Sequence, residues 1–168
     1  MLIAQTSRTG MTVCRTWQCV NAHYYTAMAT PNDPYRCYAL AARKHARHLS
    51  RLYDRWLAPA ELSVSQLSIL ALLDAHGQLK ITELADRLSM ERTSLVRALN
   101  PLQTAGWVVA ERPDSGRSFD VKLSGRGHKK LAQALPLWKS AQAAFEREVG
   151  RDRAVRLRDE ILELNSER

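Results

Sequence analysis

Apolar side chains settle into a lasting rhythm only from about residue 35 onward. Residues 1–34 mix Thr, Ser, Gly and Pro with scattered aromatics and end in Pro31-Asn32-Asp33-Pro34, a strong breaker. We expect a poorly ordered extension there, with a short helix near Trp17. Over 35–57 the pattern is helical. Tyr38, Ala42, Leu49, Leu52, Tyr53 and Trp56 make one stripe, and Pro59 ends it. A second stripe, Arg43, Arg47, Arg51 and Arg55, recurs every four residues and predicts a solvated basic face, or a positive wall beside an anionic ligand or DNA flank. Ser63-Val64-Ser65-Gln66 has the form of a capping box, in which side chain and backbone satisfy each other's orphan amides. It opens a very apolar helix over 66–75, and Gly77 supplies the stop.

The stretch 79–123 is the most informative. A short helix over 82–88 turns Leu84, Ala85 and Leu88 inward, and a second one, Arg92–Thr104, has an apolar back at Leu95, Leu99 and Leu102. The opposite side of the second helix carries Thr93, Ser94, Arg97 and Asn100, and Arg92 stands near its start. Such side chains donate and accept hydrogen bonds at base edges and phosphates. Pro101 lies inside this helix and predicts a bend or early loosening there. Gly106 closes it, and Trp107-Val108-Val109 begins a strand. Past a Pro-Asp-Ser-Gly turn, Phe119, Val121 and Leu123 alternate with polar residues as a half-buried edge. Arg117 falls at the hairpin tip. Two helices followed by a hairpin make a winged helix–turn–helix, and DNA binding is the expected activity.

Ser124 can cap a long helix over 124–148 with core positions Leu131, Leu135, Trp138 and Phe145, and a kink is expected at Pro136. After Gly150 a last helix over 152–164 carries Val155, Leu157, Ile161 and Leu164, a stripe too apolar for an unpartnered end. A two-fold homodimer would cover it and would set two recognition helices about one DNA turn apart.

The fold class is therefore mainly α with a small β-wing. The winged core covers residues 62–123, and dimerisation helices at 35–58 and 124–165 complete a domain of residues 35–168. Composition adds a bias rather than a class. The 168 residues carry 25 Lys+Arg against 17 Asp+Glu, a net charge of +8. That balance favours anionic partners. No apolar run reaches the roughly 20 residues that span a bilayer, and no secretory signal pattern opens the chain. Three cysteines, Cys14, Cys19 and Cys37, are an odd count that suits a reducing cytoplasm. Met28 is a candidate start of translation, which would leave residues 1–27 out of the native protein. No nucleophile–base pair, phosphate loop or carboxylate pair stands out, so neither an enzyme nor a cofactor is expected. Cys14-x4-Cys19-x3-His23 lacks the usual zinc spacing and a fourth ligand.

The order of elements resembles the MarR family of bacterial transcription regulators over roughly residues 35–164. The matching pieces are Leu62-Ser63-x-x-Gln66, Glu83-Leu84-Ala85, Ser94-Leu95-Val96-Arg97, Leu102-x-x-x-Gly106-Trp107-Val108, Arg117 and Leu123-Ser124-x-x-Gly127. The resemblance implies a homodimer with interlocked end helices that reads palindromic double-stranded DNA with Arg92, Thr93, Ser94, Arg97, Asn100 and Arg117. It also implies a repressor released by a small aromatic or anionic effector, in a pocket for which His45, His48, Tyr53, Trp56 and Trp138 are the candidates. Ser115 stands where the family's wing has an aspartate, with Asp114 one place earlier. Cys37-Tyr38-Ala39-Leu40 resembles the organic-hydroperoxide-sensing branch, in which a cysteine here is oxidised and partner tyrosines bind its thiolate. Tyr53 matches one such tyrosine, whereas Val64 and Ser65 occupy the place of the other. A thiol sensor using Cys37 is thus the alternative input, and a protein-binding winged helix is a more distant reading.

Overall fold

The computed structural model describes residues 33–111 and 119–166. The expected extension up to Asn32, the Cys14, Cys19 and His23 set, Met28 as a start, and the wing residues Asp114, Ser115 and Arg117 lie outside them. The described elements run, after a 3-10 turn at Pro34–Arg36, as α1 (Tyr38–Leu57), α2 (Val64–His76), β1 (Leu79–Lys80), α3 (Ile81–Arg87), α4 (Arg92–Thr104), β2 (Val108–Glu111), β3 (Asp120–Leu123), α5 (Gly125–Val149) and α6 (Arg151–Ser166). The chain divides into two compact units, the first ending at Ala46 within α1 and the second spanning Arg47–Arg168. No single helix among the described residues is long and apolar enough to cross a membrane.

In the first unit, Asp33 caps the 3-10 turn by accepting from the Tyr35 amide. Cys37 follows at the turn's end, solvent-exposed and with its sulfur free. Tyr38 is 92% exposed and Ala42 is also exposed, so these two are not on a buried stripe as the periodicity suggested. The Lys44 ammonium lies 4.9 Å from the Tyr35 ring centroid, a cation–π contact.

The second unit is built around one apolar cluster. Leu57, Ile69, Leu70, Leu73, Ile81, Leu84, Leu95, Leu99, Leu102 and Val121 are its fully buried large side chains. The capping box at Ser63 is complete: its hydroxyl accepts from the Gln66 amide while the Gln66 side chain accepts from the Ser63 amide. Asp54 adds a third bond at this helix start, accepting from the Val64 amide at 2.7 Å. A carboxylate there also meets the positive end of the α2 dipole. Gly77 closes α2 at φ +74°, a conformation that costs other residues.

The sheet has three strands in the order β1-β3-β2, all antiparallel. β1 was not expected. It is two residues long, and its register of Leu79 with Val121 and Lys80 with Asp120 depends on chain about forty residues away. Leu135 and Trp56, expected in the core, are 41% and 39% exposed. Each leaves part of an aromatic or aliphatic face on the surface that the second unit alone does not bury. Neither proline stops its helix: α4 continues through Pro101, and α5 is one helix through Pro136. In α4 the missing proline amide costs one bond, yet Leu99 and Leu102 on either side are fully buried and hold the last turn.

A smaller cluster joins α1, α5 and α6 through Leu52, Ala141, Phe145 and Ala154. Beside it the half-buried Tyr53 hydroxyl donates to the Gln142 side-chain oxygen. Burial, and secondarily the Glu146 carboxylate, push the Tyr53 phenol above its ordinary range. The protonated phenol is thus favoured more in the folded than in the unfolded chain. Its contribution is fully present below about pH 10 and is lost as pH rises through the folded value. Tyr53→Phe is expected to cost about 1 kcal/mol at pH 7 through the lost hydrogen bond and to flatten the fall in stability above about pH 10. Denaturant titrations of the two proteins at pH 7 and pH 10.5 check both parts.

Candidate nucleic-acid interface

The helix–turn–helix is formed by α3 and α4 with a three-residue connection, Leu88-Ser89-Met90, before the Glu91 cap. Ser89 adopts φ +51°, the left-handed conformation that reverses the chain. Its amide donates to Asp86 O and the Met90 amide to Ala85 O, so the turn's backbone groups are satisfied locally. Leu84 and Ala85 of α3 are buried against the core.

α4 presents the two faces the sequence predicts. Leu95, Leu99 and Leu102 are at most 1% exposed, while Arg92, Thr93, Ser94, Arg97 and Asn100 are all exposed. None of these five side chains has a hydrogen-bond or ion-pair partner among the described residues. Glu91 makes no side-chain cap bond, so no N-cap side chain covers the first amides of α4 at the positive end of the helix dipole. Five polar side chains without partners and an open helix start suit a polyanion with hydrogen-bonding edges.

The wing is anchored from behind. β2 and β3 pair with Val108 opposite Leu123 and Glu111 opposite Asp120, and Glu111 forms an ion pair with Lys122. The root of the hairpin is locked to α5 by a tight corner. Ser124 caps α5 by accepting from the Gly127 amide, its hydroxyl donates to Gly106 O at 2.6 Å, and its amide donates to Trp107 O. Gly127 lies so close to Trp107 that no side chain fits: a Cβ would overlap Trp107 O and sit 3.0 Å from Trp107 C. Lys130 completes the corner, its ammonium 4.7 Å from the Trp107 ring centroid and 3.9 Å from Glu61. The motif Leu123-Ser124-x-x-Gly127 thus sets the angle at which the wing leaves the body.

His48 lines a cleft of about 570 Å³ with Arg51, Asp54, Arg55 and Ala58, and its Nε2 lies 3.0 Å from Glu148. Tyr53 and Trp138 are partly buried and pack against the main apolar cluster. Trp56 is on the surface, and His45 belongs to the first unit. Arg51 and Arg55 of this cleft belong to the four-residue repeat of arginines, read from the sequence as a solvated face or a positive wall beside an anion.

Three comparisons bear on this geometry. A sequence model of the MarR family matches residues 60–118. The HTH-type transcriptional regulator TtmR of Methylorubrum extorquens (strain PA1) is 30% identical over 136 residues, covering 77% of this chain and 68% of its own. Among solved structures, the M. tuberculosis transcriptional regulator MosR in complex with DNA is 32% identical, with a TM-score of 0.68 over 77% of this chain and 94% of that one. NadR in complex with 4-hydroxyphenylacetate is 26% identical, with a TM-score of 0.60 over 83% of this chain and 95% of that one.

Proposed function

This chain belongs to the MarR family of DNA-binding transcriptional regulators, and from that premise we propose that it is a homodimeric repressor of palindromic operators, released by a small aromatic anion. The observation that carries the reading is the exposed polar face of α4, without partners among the described residues and backed by three buried leucines. Arg97 is the side chain best suited to a bidentate contact with guanine, and Arg92 at the helix start suits a phosphate. The second copy is supported by α6, where Ile161, Leu162 and Leu164 are 43%, 61% and 70% exposed. Such a strip on a terminal helix is stable in water when another apolar surface covers it. Repression follows from occupancy, since a dimer seated across a promoter blocks polymerase without any further contact.

NadR was solved with 4-hydroxyphenylacetate. That supports an aromatic carboxylate as effector, held here near Tyr53, Trp56 and Trp138. A second reading has one observation in its favour: Cys37 is exposed and flanked by Arg36 and Tyr38, both exposed. In that reading an organic hydroperoxide oxidises the Cys37 thiolate to a sulfenate and is itself reduced to the alcohol. Gel shifts on DNA from upstream of the protein's own reading frame separate the two. The expected result is a shift that millimolar 4-hydroxyphenylacetate weakens and cumene hydroperoxide leaves intact. Release by the hydroperoxide that disappears in Cys37→Ser would transfer the input to the thiol. No shift at any promoter fragment would remove the operator-binding reading altogether.

A further inference from the structure

The chain's excess positive charge does not sit on its winged core. Residues 58–123 hold seven Lys+Arg against eight Asp+Glu, whereas the twenty residues of α1 hold five against one. Within the second unit, Arg47, Arg51 and Arg55 follow one another at four-residue steps, all exposed. Successive members are about 6 Å apart along the axis and rotated by only about 40°, so they form one row. None of the three has an ion-pair partner among the described residues.

This lack of partners is informative because a carboxylate is within reach. Asp54 stands three residues after Arg51, a spacing at which opposite charges on a helix meet. Its carboxylate instead accepts from the Val64 amide at 2.7 Å and serves the start of α2. The other nearby carboxylate, Glu148, faces His48 at 3.0 Å. Arg51 and Arg55 are thus left, among the described residues, as two unpaired guanidinium forks on the wall of a concave surface of about 570 Å³. A depression of that size suits a small molecule. Planar forks match the oxygens of phosphate and carboxylate groups two at a time.

We propose that Arg51 and Arg55 form an oxyanion-binding site on the outer face of α1, shaped for a phosphate group. The site is distinct from the effector crevice proposed above. Arg51 and Arg55 lie on the opposite side of α1 from Tyr53 and Leu49, which pack against the apolar cluster there. It does not depend on that reading. The phosphate has two sources, a small phosphate ester or the backbone of DNA, and both present the same oxygens to the forks.

Calorimetric titration of the full chain with pyrophosphate, at ionic strength held constant with chloride, tests the site. Wild type is expected to saturate. Arg51→Gln/Arg55→Gln should bind at least tenfold more weakly, while Arg153→Gln/Arg156→Gln, with the same loss of charge elsewhere, should bind as wild type does. Arg51→Lys/Arg55→Lys keeps the charge but removes the forks, and should fall between. Absence of saturable binding to wild type, or equal weakening in both glutamine pairs, would overturn the proposal. Repeating the titration with excess 30-base-pair duplex of random sequence identifies the source. Pyrophosphate binding that persists unchanged points to a small phosphate, and competition by the duplex points to DNA, each on the same two arginines.

Discussion

Arg97→Ala is expected to weaken operator binding by at least about thirtyfold and to leave the melting temperature where it was. A good bidentate contact to a base discriminates by roughly 1–3 kcal/mol, and a homodimer uses the residue twice. Stability should not move, because the Arg97 side chain is exposed and touches no partner among the described residues. The form of the loss also assigns the contact. If Arg97 reads a base, affinity for the operator falls while affinity for random duplex changes little. If it holds a phosphate, both fall together and the log–log salt slope becomes shallower by about one per contact. With Arg92, Arg97 and Arg117 from each copy neutralising about six phosphates, the wild-type slope should be on the order of −5. Fluorescence anisotropy at several salt concentrations measures all of these quantities. A variant that binds like wild type would take Arg97 out of the interface.

Gly127→Ala is expected to have the largest effect on the fold itself. The added methyl collides chiefly with backbone, Trp107 O and C, and also crowds Leu123 Cδ2 at 3.1 Å. Relief therefore requires moving the first turn of α5 away from the wing root, which breaks the Ser124 cap and the bond from Ser124 to Gly106 O. Overpacking costs about 1–3 kcal/mol where side chains can yield, and a backbone collision lies at or above the top of that range. A chain of this size should melt roughly 6–12 °C lower. Gly125 opens the same helix and a Cβ there would meet nothing within 4 Å, so Gly125→Ala is the matched control, expected within about 0.5 kcal/mol of wild type. Thermal melts followed by circular dichroism compare the three proteins. DNA affinity of any folded Gly127→Ala should fall as well, since the wing would leave the body at a different angle.

What could be read in advance follows the reach of each signal. The recognition helix was legible because its two faces are written within thirteen residues: three leucines at helical spacing and polar side chains between them. The capping box at Ser63 and the stop at Gly77 are equally local. β1 was not legible, since two residues make a strand only through pairing with β3 across a long stretch of chain. Tyr38, Trp56 and Leu135 misled for a related reason. Periodicity reports which face of a helix is apolar and not which of its residues reach a neighbour. Among the site residues, the direct line from residue type to exposure held on α4, where side chains and helix start act as neighbours in sequence. On α1 the arginine row was legible as a solvated face or a positive wall, but not which of the two, because that depends on where Asp54 places its carboxylate, a choice set by the start of α2 ten residues later.

In the proposed dimer, two copies of α4 read one palindrome from adjacent major grooves. Hydroxyl-radical and methylation footprinting on the promoter fragment tests it most directly. The expected pattern is two protected major-groove segments of equal strength, centred about 10 base pairs apart and related by two-fold symmetry, both lost in Arg97→Ala. A single protected half-site, or protection without symmetry that survives Arg97→Ala, would contradict it.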